Sequence, residues 1–199
     1  EKGGTDRPIW AIDRGVNICH TLSLPPAHLI GDRDSAAHDA WAWAEEHGAR
    51  VHAFPPAKDF TDTELALRIA AELMPSALVI LTGAFGGRFD HLMSAASVAA
   101  HAALPCILAD EREALFFLHG DESLTITCDS PPQAISLLPF AEECTGITTN
   151  GLRWELSHAQ IHTHSSTTIS NVLAEGNTEH RFSVTLGSGI LGVYLCHKE

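Results

Sequence analysis

The chain has 199 residues, of which 45% are hydrophobic and 19% charged, and its 12 basic and 25 acidic side chains give a formal net charge of −13. This composition is typical of a globular protein with one large domain or two small ones. Nucleic-acid binding is not expected, because phosphate backbones require clustered Lys and Arg. A membrane span is not expected either, because no apolar run approaches the roughly 20 residues that cross a bilayer.

The five cysteines are scattered and form no C-x-x-C pair; they are Cys19, Cys106, Cys128, Cys144 and Cys196. Their odd number and wide spacing argue against a disulfide framework and against a thiolate zinc site. Buried, reduced thiols in a cytoplasmic protein are the better interpretation.

Residues 1–110 alternate apolar strands with helices. Strands are predicted at residues 9–13, 28–32, 50–54, 77–81 and 105–110, and helices at residues 38–49 and 61–73 and after Asp90. Thr61 and Glu64 have the spacing of a capping box at the start of the second helix. This alternation predicts an α/β domain with a mainly parallel sheet covered on both faces.

Residues 111–199 have a different pattern, with short segments rich in Thr, Ile and Val between turn residues. Strand-like segments are 114–120, 122–128, 133–140, 143–149, 152–157, 159–164, 167–173, 180–186 and 189–195. Asn150-Gly151 is the dipeptide of a two-residue hairpin turn. We therefore predict a second, all-β domain of the sandwich type.

Acidic side chains follow four strands of the α/β domain, at the ends where ligands bind in such sheets. They are Asp13, then Asp32 and Asp34, then Asp62 preceded by Lys58, and finally Asp90 preceded by Arg88. Carboxylates gathered at one edge repel each other unless a divalent cation neutralises them. Oxygen ligands without a thiolate suit Mg²⁺ with substrate phosphates and water.

The segment TGAFGGRFDH (82–91) lies between the fourth strand and a helix. Gly83, Gly86 and Gly87 would let backbone N–H groups approach a phosphate, and the helix start adds its positive end. Arg88 offers a guanidinium fork that suits phosphate oxygens. Together with a carboxylate-bound metal, the loop favours phosphoryl transfer, which needs positioning and charge stabilisation.

Structural explanations remain open for each of these residues. Asp62 can stabilise its helix through the dipole, Asp90 can be an N-cap, and 32–35 can be a turn. A triad of His158, His162 and His164 on one strand is either a metal platform or a solvated face. Trp41 and Trp43 are expected in the core or an interface.

Five segments in this order resemble the thiamine pyrophosphokinase (thiamine diphosphokinase) family. They are IGDRDS (30–35), FPPAKDFTDTELAL (54–67), TGAFGGRFDH (82–91), NGLRWEL (150–156) and ISN (169–171). The resemblance implies an N-terminal α/β domain and a C-terminal β-sandwich. It also implies transfer of pyrophosphate from ATP to the hydroxyl of thiamine with Mg²⁺, giving AMP and thiamine diphosphate. A homodimer is implied, with thiamine between the α/β domain of one subunit and the sandwich of the other.

The resemblance also implies roles for individual residues. Asp32, Asp34 and Asp62 match the carboxylates that hold Mg²⁺ and phosphate. Nucleotide contacts are implied for Asp13, Asn17, Lys58, Gly83, Gly86, Gly87 and Arg88. Asp90 matches a thiamine-side or catalytic carboxylate, and Ser170 and Asn171 match the pair near the pyrimidine ring. The carboxylate that accepts the hydroxyl proton is left open.

Three positions depart from the family pattern. Arg14 replaces a glycine, Arg33 stands where the family has Phe, and Val172-Leu173 replaces Glu-Phe after ISN. These changes leave the residues matched to phosphate and metal binding intact. They affect the expected pocket for the acceptor. Two alternatives therefore stay open: a pyrophosphokinase for another alcohol, and a non-catalytic homologue that binds nucleotide or thiamine.

Overall fold

The computed structural model describes residues 7–31, 36–54 and 59–197. The chain forms two compact units, residues 1–75 and residues 76–199. The predicted domain boundary after residue 110 stays a prediction.

The first unit contains a parallel sheet with helices between its strands. Its strands are β1 (Trp10–Ile12), β2 (His28–Gly31) and β3 (Arg50–Ala53), in the order β1-β2-β3. Its helices are α1 (Gly15–Thr21), α2 (His38–Glu46) and α3 (Asp62–Leu73). The parallel α/β organisation predicted for this part of the chain is confirmed, and α1 is an additional helix.

Small side chains let helices pack closely against this sheet. The core of the first unit consists of Ala11, Val16, Cys19, Leu29, Ala40, Trp41 and Ala44. Trp41 is 3% exposed and Trp43 packs against the same cluster, so the structural interpretation of the two tryptophans is correct.

The capping box of α3 forms as predicted. The Thr61 hydroxyl accepts a hydrogen bond from the Glu64 N–H at 3.3 Å, and Thr61 is the N-cap. Glu64 also forms an ion pair with Arg68 one turn later at 2.7 Å. The α3 helix therefore begins at Asp62 and packs against β1 and β2.

The second unit is built around two sheets. Its elements are β4 (Val79–Leu81), α4 (Phe89–Ala100), β5 (Cys106–Ala109), β6 (Glu113–His119), β7 (Glu122–Thr127), β8 (Ala134–Pro139), β9 (Glu143–Asn150), β10 (Ala159–His162), β11 (Arg181–Leu186) and β12 (Ile190–Cys196). One sheet has the order β10-β9-β11-β7 and the other β4-β5-β6-β12-β8. Apart from the parallel pair β4-β5, neighbouring strands are antiparallel.

Side chains from both sheets form one hydrophobic core. Its buried members are Leu118, Ile135, Leu137, Cys144, Ile147, Leu152, Ile161, Phe182, Val184, Leu186, Leu191, Val193 and Leu195. This arrangement confirms the predicted β-sandwich.

Strands β4 and β5 belong to the five-stranded sheet of the sandwich. The sequence predicted instead that they pair with β1–β3 in one parallel sheet. A tight turn after β5 explains this difference. The Asp110 carboxylate accepts hydrogen bonds from the N–H groups of Arg112 and Glu113 at 3.0 and 2.9 Å. The turn directs β6 antiparallel to β5, so the pairing continues into the sandwich.

Two of the predicted strands are wrong. Residues 152–157 and 167–173 form turns and single bridges, Leu152 with Leu173 and Ile135 with Asn171. Asn150-Gly151 does not close a two-residue hairpin either, because residues 151–158 connect β9 to β10. Gly151 is required for another reason: its φ is +83° and a Cβ there would lie 2.5 Å from the Arg181 carbonyl oxygen.

The cysteines are free thiols, as expected. Burial raises the pKa of Cys106 to about 11, and it also raises the pKa of Cys19, Cys128 and Cys144. Across the described ranges, no helix has the length and apolarity needed to cross a membrane.

Three aromatic rings stack on one face of the first sheet. The ring centroids of Trp10 and His28 are 4.0 Å apart, and those of His28 and His52 are 5.1 Å apart. His28 Nδ1 and His52 Nε2 share a hydrogen bond of 2.8 Å, which requires one of the two nitrogens to be unprotonated. Burial lowers the pKa of both histidines, and the charge of Arg50 lowers both further.

This pair predicts acid sensitivity. The folded-state pKa values of the two histidines lie below the unfolded value of about 6.5. As the pH falls through about 6.5, the unfolded chain therefore binds more protons than the folded chain, and the folded state loses stability. We expect the thermal unfolding midpoint to be lower at pH 5.5 than at pH 7.5, which is a fall in stability on acidification. His52→Gln should reduce that fall by about 2–4 °C, because glutamine does not titrate. Circular dichroism melts at both pH values measure this.

His38→Gln, an exposed histidine of the same unit, is the matched control and should leave the fall unchanged. An equal fall in the wild type and in His52→Gln would contradict the prediction.

Candidate functional site

Asp13 lies at the carboxyl ends of β1 and β2. Its backbone is left-handed, with φ +48°, and its N–H donates to the Ile30 carbonyl at 2.8 Å. The Asp13 carboxylate lies beside Gly31, and a Cβ added to Gly31 would be only 2.2 Å from Asp13 Oδ1. The glycine after Ile30 thus makes room for this acidic side chain at the end of the strands.

Asn17 lies in α1 and connects it to the next helix. Its side-chain oxygen accepts a hydrogen bond from the Ala37 N–H at 3.0 Å, and Ala37 is the N-cap of α2. This contact gives Asn17 a structural role. Its nucleotide contact stays a prediction.

Asp62 is the first residue of α3 and is half-buried. Its carboxylate interacts favourably with the dipole of α3 at this position. The same position places a carboxylate in the chain after β3. Asp32, Asp34 and Lys58, together with Arg33, lie outside the described residues. The ligand set predicted from these carboxylates therefore stays a prediction.

The glycines of the 82–91 segment have backbone conformations that require glycine. Gly83, Gly86 and Gly87 have φ values of +73°, +87° and +78°, and a Cβ on any of them would meet no atom within 4 Å. Conformation, rather than close packing, accounts for these glycines. The open space beside them leaves their backbone accessible to a ligand.

Arg88 and Asp90 form a two-pronged ion pair at the start of α4. Arg88 Nε donates to Asp90 Oδ1 at 3.0 Å, and Arg88 Nη2 donates to Asp90 Oδ2 at 2.5 Å. Their side chains are 71% and 63% exposed, so the pair contributes little to stability. The hydrogen bonds from Arg88 hold the pKa of Asp90 below its usual value and raise the pKa of Arg88.

This geometry bears on two predictions. The N-cap of α4 is Arg88, so the interpretation of Asp90 as the N-cap is wrong. The Arg88 fork already holds a pair of carboxylate oxygens, and phosphate oxygens have a similar spacing. The contact of Arg88 with phosphate stays a prediction.

Ser170 is attached to the edge strand β8. Its N–H donates to the Oγ atom of buried Ser136 at 2.9 Å. Ser170 has a left-handed backbone with φ +63°, which is uncommon for a residue other than glycine. Such strain persists only where neighbouring contacts enforce it.

Asn171 fixes the position of Trp154. Its side-chain oxygen accepts from the Trp154 N–H at 3.2 Å, and its amide nitrogen donates to the Trp154 carbonyl at 2.7 Å. Its backbone exchanges two hydrogen bonds of 2.8 Å with Ile135. Trp154 is 59% exposed, and the Arg153 guanidinium lies 5.2 Å from its ring centroid.

Sequence reasoning missed Trp154 as a candidate, although it lies within the quoted NGLRWEL segment. An exposed indole on a backbone that is hydrogen-bonded on both sides offers a surface for stacking. The signal was the tryptophan itself, in a polar segment without strand alternation.

The proposed histidine platform is wrong. Only His162 belongs to β10, His158 precedes the strand with φ +48°, and His164 follows it. The rings of His162 and His164 stack at 5.3 Å. Within the described part of the chain, no three His, Cys, Asp or Glu side chains are grouped to hold a metal ion.

Two surface cavities of the second unit have other linings. One of about 440 Å³ borders Asn150, Asn177 and Arg181, and one of about 410 Å³ borders Leu78, Ile107 and Phe116. None of the predicted site residues lines either cavity, so cavity volume does not identify the site.

Asn171 yields a stability prediction. Asn171→Ala removes three side-chain hydrogen bonds, two with the Trp154 backbone and one with the Val172 N–H. We expect the free energy of unfolding to fall by about 1–3 kcal/mol. Urea titration measures the change.

Asn150→Ala is the matched control in the same unit, because the Asn150 amide makes one long contact, 3.5 Å to Ser183. Equal effects of the two substitutions would argue against a special role for Asn171.

Both parts of the chain are similar to known proteins. Residues 6–107 match the family model "Thiamin pyrophosphokinase, catalytic domain", and residues 123–191 match "Thiamin pyrophosphokinase, vitamin B1 binding domain". The thiamine pyrophosphokinase of Bacillus subtilis (strain 168) is 27% identical over 186 residues, which cover 91% of this chain and 86% of the relative. Thiamine pyrophosphokinase 1 of Oryza sativa subsp. japonica is 24% identical over 162 residues, 77% of this chain and 61% of the relative.

Solved structures show the same fold. The crystal structure of the Bacillus subtilis thiamine pyrophosphokinase superimposes with a TM-score of 0.82 at 24% identity, covering 98% of this chain and 90% of that one. The thiamin pyrophosphokinase of Geobacillus thermodenitrificans gives 0.79 at 26% identity, covering 98% and 89%. With both domain models matched along its length, the chain belongs to the thiamin pyrophosphokinase family.

Proposed function

We propose that the chain transfers a pyrophosphoryl group from ATP to the hydroxyl of thiamine, giving thiamine diphosphate and AMP, with Mg²⁺. The observation that carries the proposal is the match of both family domains to segments that hold the candidate residues. Asp13, Asp62, Arg88 and Asp90 lie in the catalytic-domain match, and Ser170 lies in the vitamin B1 match.

The bond changes of this reaction are simple. The thiamine hydroxyl oxygen bonds to the β-phosphorus of ATP, and the bond from that phosphorus to the oxygen bridging to the α-phosphate breaks. AMP leaves with the bridging oxygen, and the hydroxyl proton passes to a base or to water. The protein has to align the two substrates and stabilise the phosphate charge.

The glycine segment supports phosphate binding. Its backbone beside Gly83, Gly86 and Gly87 is open, and the positive end of the twelve-residue helix α4 follows it. Arg88 would exchange the Asp90 carboxylate for phosphate oxygens. This exchange costs little, because both side chains are exposed and solvent screens a surface ion pair.

The chemistry of the candidate ligands fits Mg²⁺. Asp62 supplies a carboxylate after β3, and Asp32 and Asp34 would supply two more, so the donors are oxygen atoms only. Mg²⁺ binds such oxygen donors together with phosphates and water. When bound, the ion would neutralise charge on the phosphates, while these carboxylates hold it in place.

The acceptor side is supported by Ser170, Asn171 and the exposed Trp154. The Trp154 indole offers a flat face for an aromatic ring, and Asn171 holds the Trp154 backbone that carries it. The thiazolium of thiamine is a cation, which suits Asp90 and an acidic chain of net charge −13. Once Arg88 binds phosphate, the released Asp90 carboxylate would make an electrostatic contact with the cationic acceptor.

We further propose a cytoplasmic homodimer with the site at the subunit interface, as in the family. The five free thiols support a reducing compartment. The dimer would bring the Trp154 surface of one subunit to the glycine segment of the other.

A second candidate is a homologue that binds another alcohol or only binds ligands. The observation that favours it is the Val172-Leu173 replacement. Leu173 packs against the sandwich core, so an apolar side chain stands where the family has an aromatic one. This changes the surroundings of Asn171, next to the proposed acceptor surface.

The first functional prediction concerns products. With ATP and Mg²⁺ we expect AMP to form only when thiamine is present, and EDTA should abolish its formation until excess Mg²⁺ is added. Chromatography of AMP and thiamine diphosphate measures both. AMP that never depends on thiamine would reject the proposed acceptor, and tight thiamine binding without turnover would select the non-catalytic alternative.

The second functional prediction concerns Asp62. Asp62→Asn should lower kcat/KM by about 100-fold or more, because a metal-binding carboxylate is lost. The unfolding midpoint should change little. Steady-state kinetics with a melting curve of the same sample measure both quantities.

Asp39→Asn is a matched control, because Asp39 also lies in the first turn of a helix in the same unit. It removes the same favourable interaction with a helix dipole. Similar activity in the two variants would refute a metal role for Asp62.

A further inference from the structure

The glycine segment has one large half-buried side chain. Phe85 is half-buried, while Gly83, Gly86, Gly87 and Arg88 are exposed. Since nothing lies within 4 Å of a Cβ on any of these glycines, neighbouring atoms do not restrain them. Glycines lose more conformational freedom on ordering than any other residue. A segment with this composition needs an anchor if its backbone is to be ready for a ligand.

Phe85 packs against a tyrosine of the sandwich sheet. The ring centroids of Phe85 and Tyr194 are 6.4 Å apart with an interplanar angle of 55°, within the range of tilted aromatic pairs. Both residues belong to the second unit. The glycine segment begins after edge strand β4, whereas Tyr194 lies in β12, three strands along the same sheet. The segment therefore extends back across that sheet to reach Tyr194.

Tyr194 is itself held firmly. Its backbone is paired with Leu115 on one side and Ser136 on the other. Its hydroxyl donates a hydrogen bond to Glu113 of β6. Burial and the hydrogen bond with Glu113 raise the pKa of Tyr194, so the hydroxyl remains a donor at neutral pH. The ring that Phe85 contacts thus has a defined position.

We propose that Phe85 and Tyr194 are positioning residues that hold the glycine segment in its ligand-ready conformation. This inference rests on the proposed function, because the ligand it concerns is the nucleotide phosphate. We assign neither side chain a contact with the reacting atoms. Their effect is to reduce the ordering that nucleotide binding would otherwise require.

The test combines hydrogen exchange with nucleotide binding. Deuterium uptake in residues 82–91 is followed by mass spectrometry for the full chain. Phe85→Ala and Tyr194→Leu should each raise this uptake, and each should weaken binding of a non-hydrolysable ATP analogue with Mg²⁺ by about 2- to 10-fold. In turnover, KM for ATP should rise while kcat and KM for thiamine change little.

Three variants separate positioning from general destabilisation. Tyr194→Phe keeps the ring but loses the hydrogen bond to Glu113, so it should raise uptake and weaken binding less than Tyr194→Leu does. Phe89→Ala, four residues after Phe85 and 74% exposed, should leave uptake before it unchanged. The double variant Phe85→Ala/Tyr194→Leu should weaken binding no more than either single variant. Each substitution alone already removes the same ring contact, so the second has nothing further to remove.

The outcomes distinguish the two hypotheses. If the ATP analogue fails to lower uptake in the wild type, the proposed nucleotide role of the segment is wrong. If the analogue protects the wild type but Phe85→Ala changes neither uptake nor affinity, the positioning role is wrong. Should Tyr194→Leu fail to fold, Phe85→Ala against Phe89→Ala decides the question alone.

Discussion

The antiparallel pairing of β12 with β6 and β8 is the constraint on which the second unit depends. Alternate residues of β12 point to opposite faces of its sheet. Leu191, Val193 and Leu195 enter the sandwich core, while Tyr194 faces the other way and meets the glycine segment through Phe85. A slip of one residue in this register would exchange the two faces, and with it both the core and the anchor.

The same strand register also positions Ser170 and Asn171. Tyr194 is paired with Ser136, and the Ser136 hydroxyl holds the N–H of Ser170. In the same strand, the neighbouring residue Ile135 holds the backbone of Asn171, whose side chain in turn holds the Trp154 backbone. The glycine segment and the segment around Ser170 and Asn171, far apart in sequence, are thus attached to adjacent positions of one sheet. Their common attachment explains how this unit can keep both in fixed geometry.

Where sequence reasoning failed, side-chain contacts replaced the regular backbone pattern. Helix α1 contains Gly, Val, Asn, Ile and Thr, all poor helix formers, and it forms because Val16 and Cys19 are buried against the sheet. Residues 167–173 have β-branched composition, yet the Thr168 hydroxyl bonds to Leu137 and the Asn171 amide bonds to Trp154. Hydrogen bonds to these distant residues and single bridges hold the segment in place without a continuous strand.

By itself, the sequence determined the alternation of strands and helices, the sandwich, the α3 cap and the identity of the candidate residues. These features follow from local periodicity and residue chemistry, which act over a few neighbouring positions. Only the tertiary structure decided that β4 and β5 join the sandwich sheet, that Arg88 is paired with Asp90, and that Phe85 rests on Tyr194. Contacts between distant residues depend on strand register and side-chain packing across the whole unit, and no local pattern encodes them.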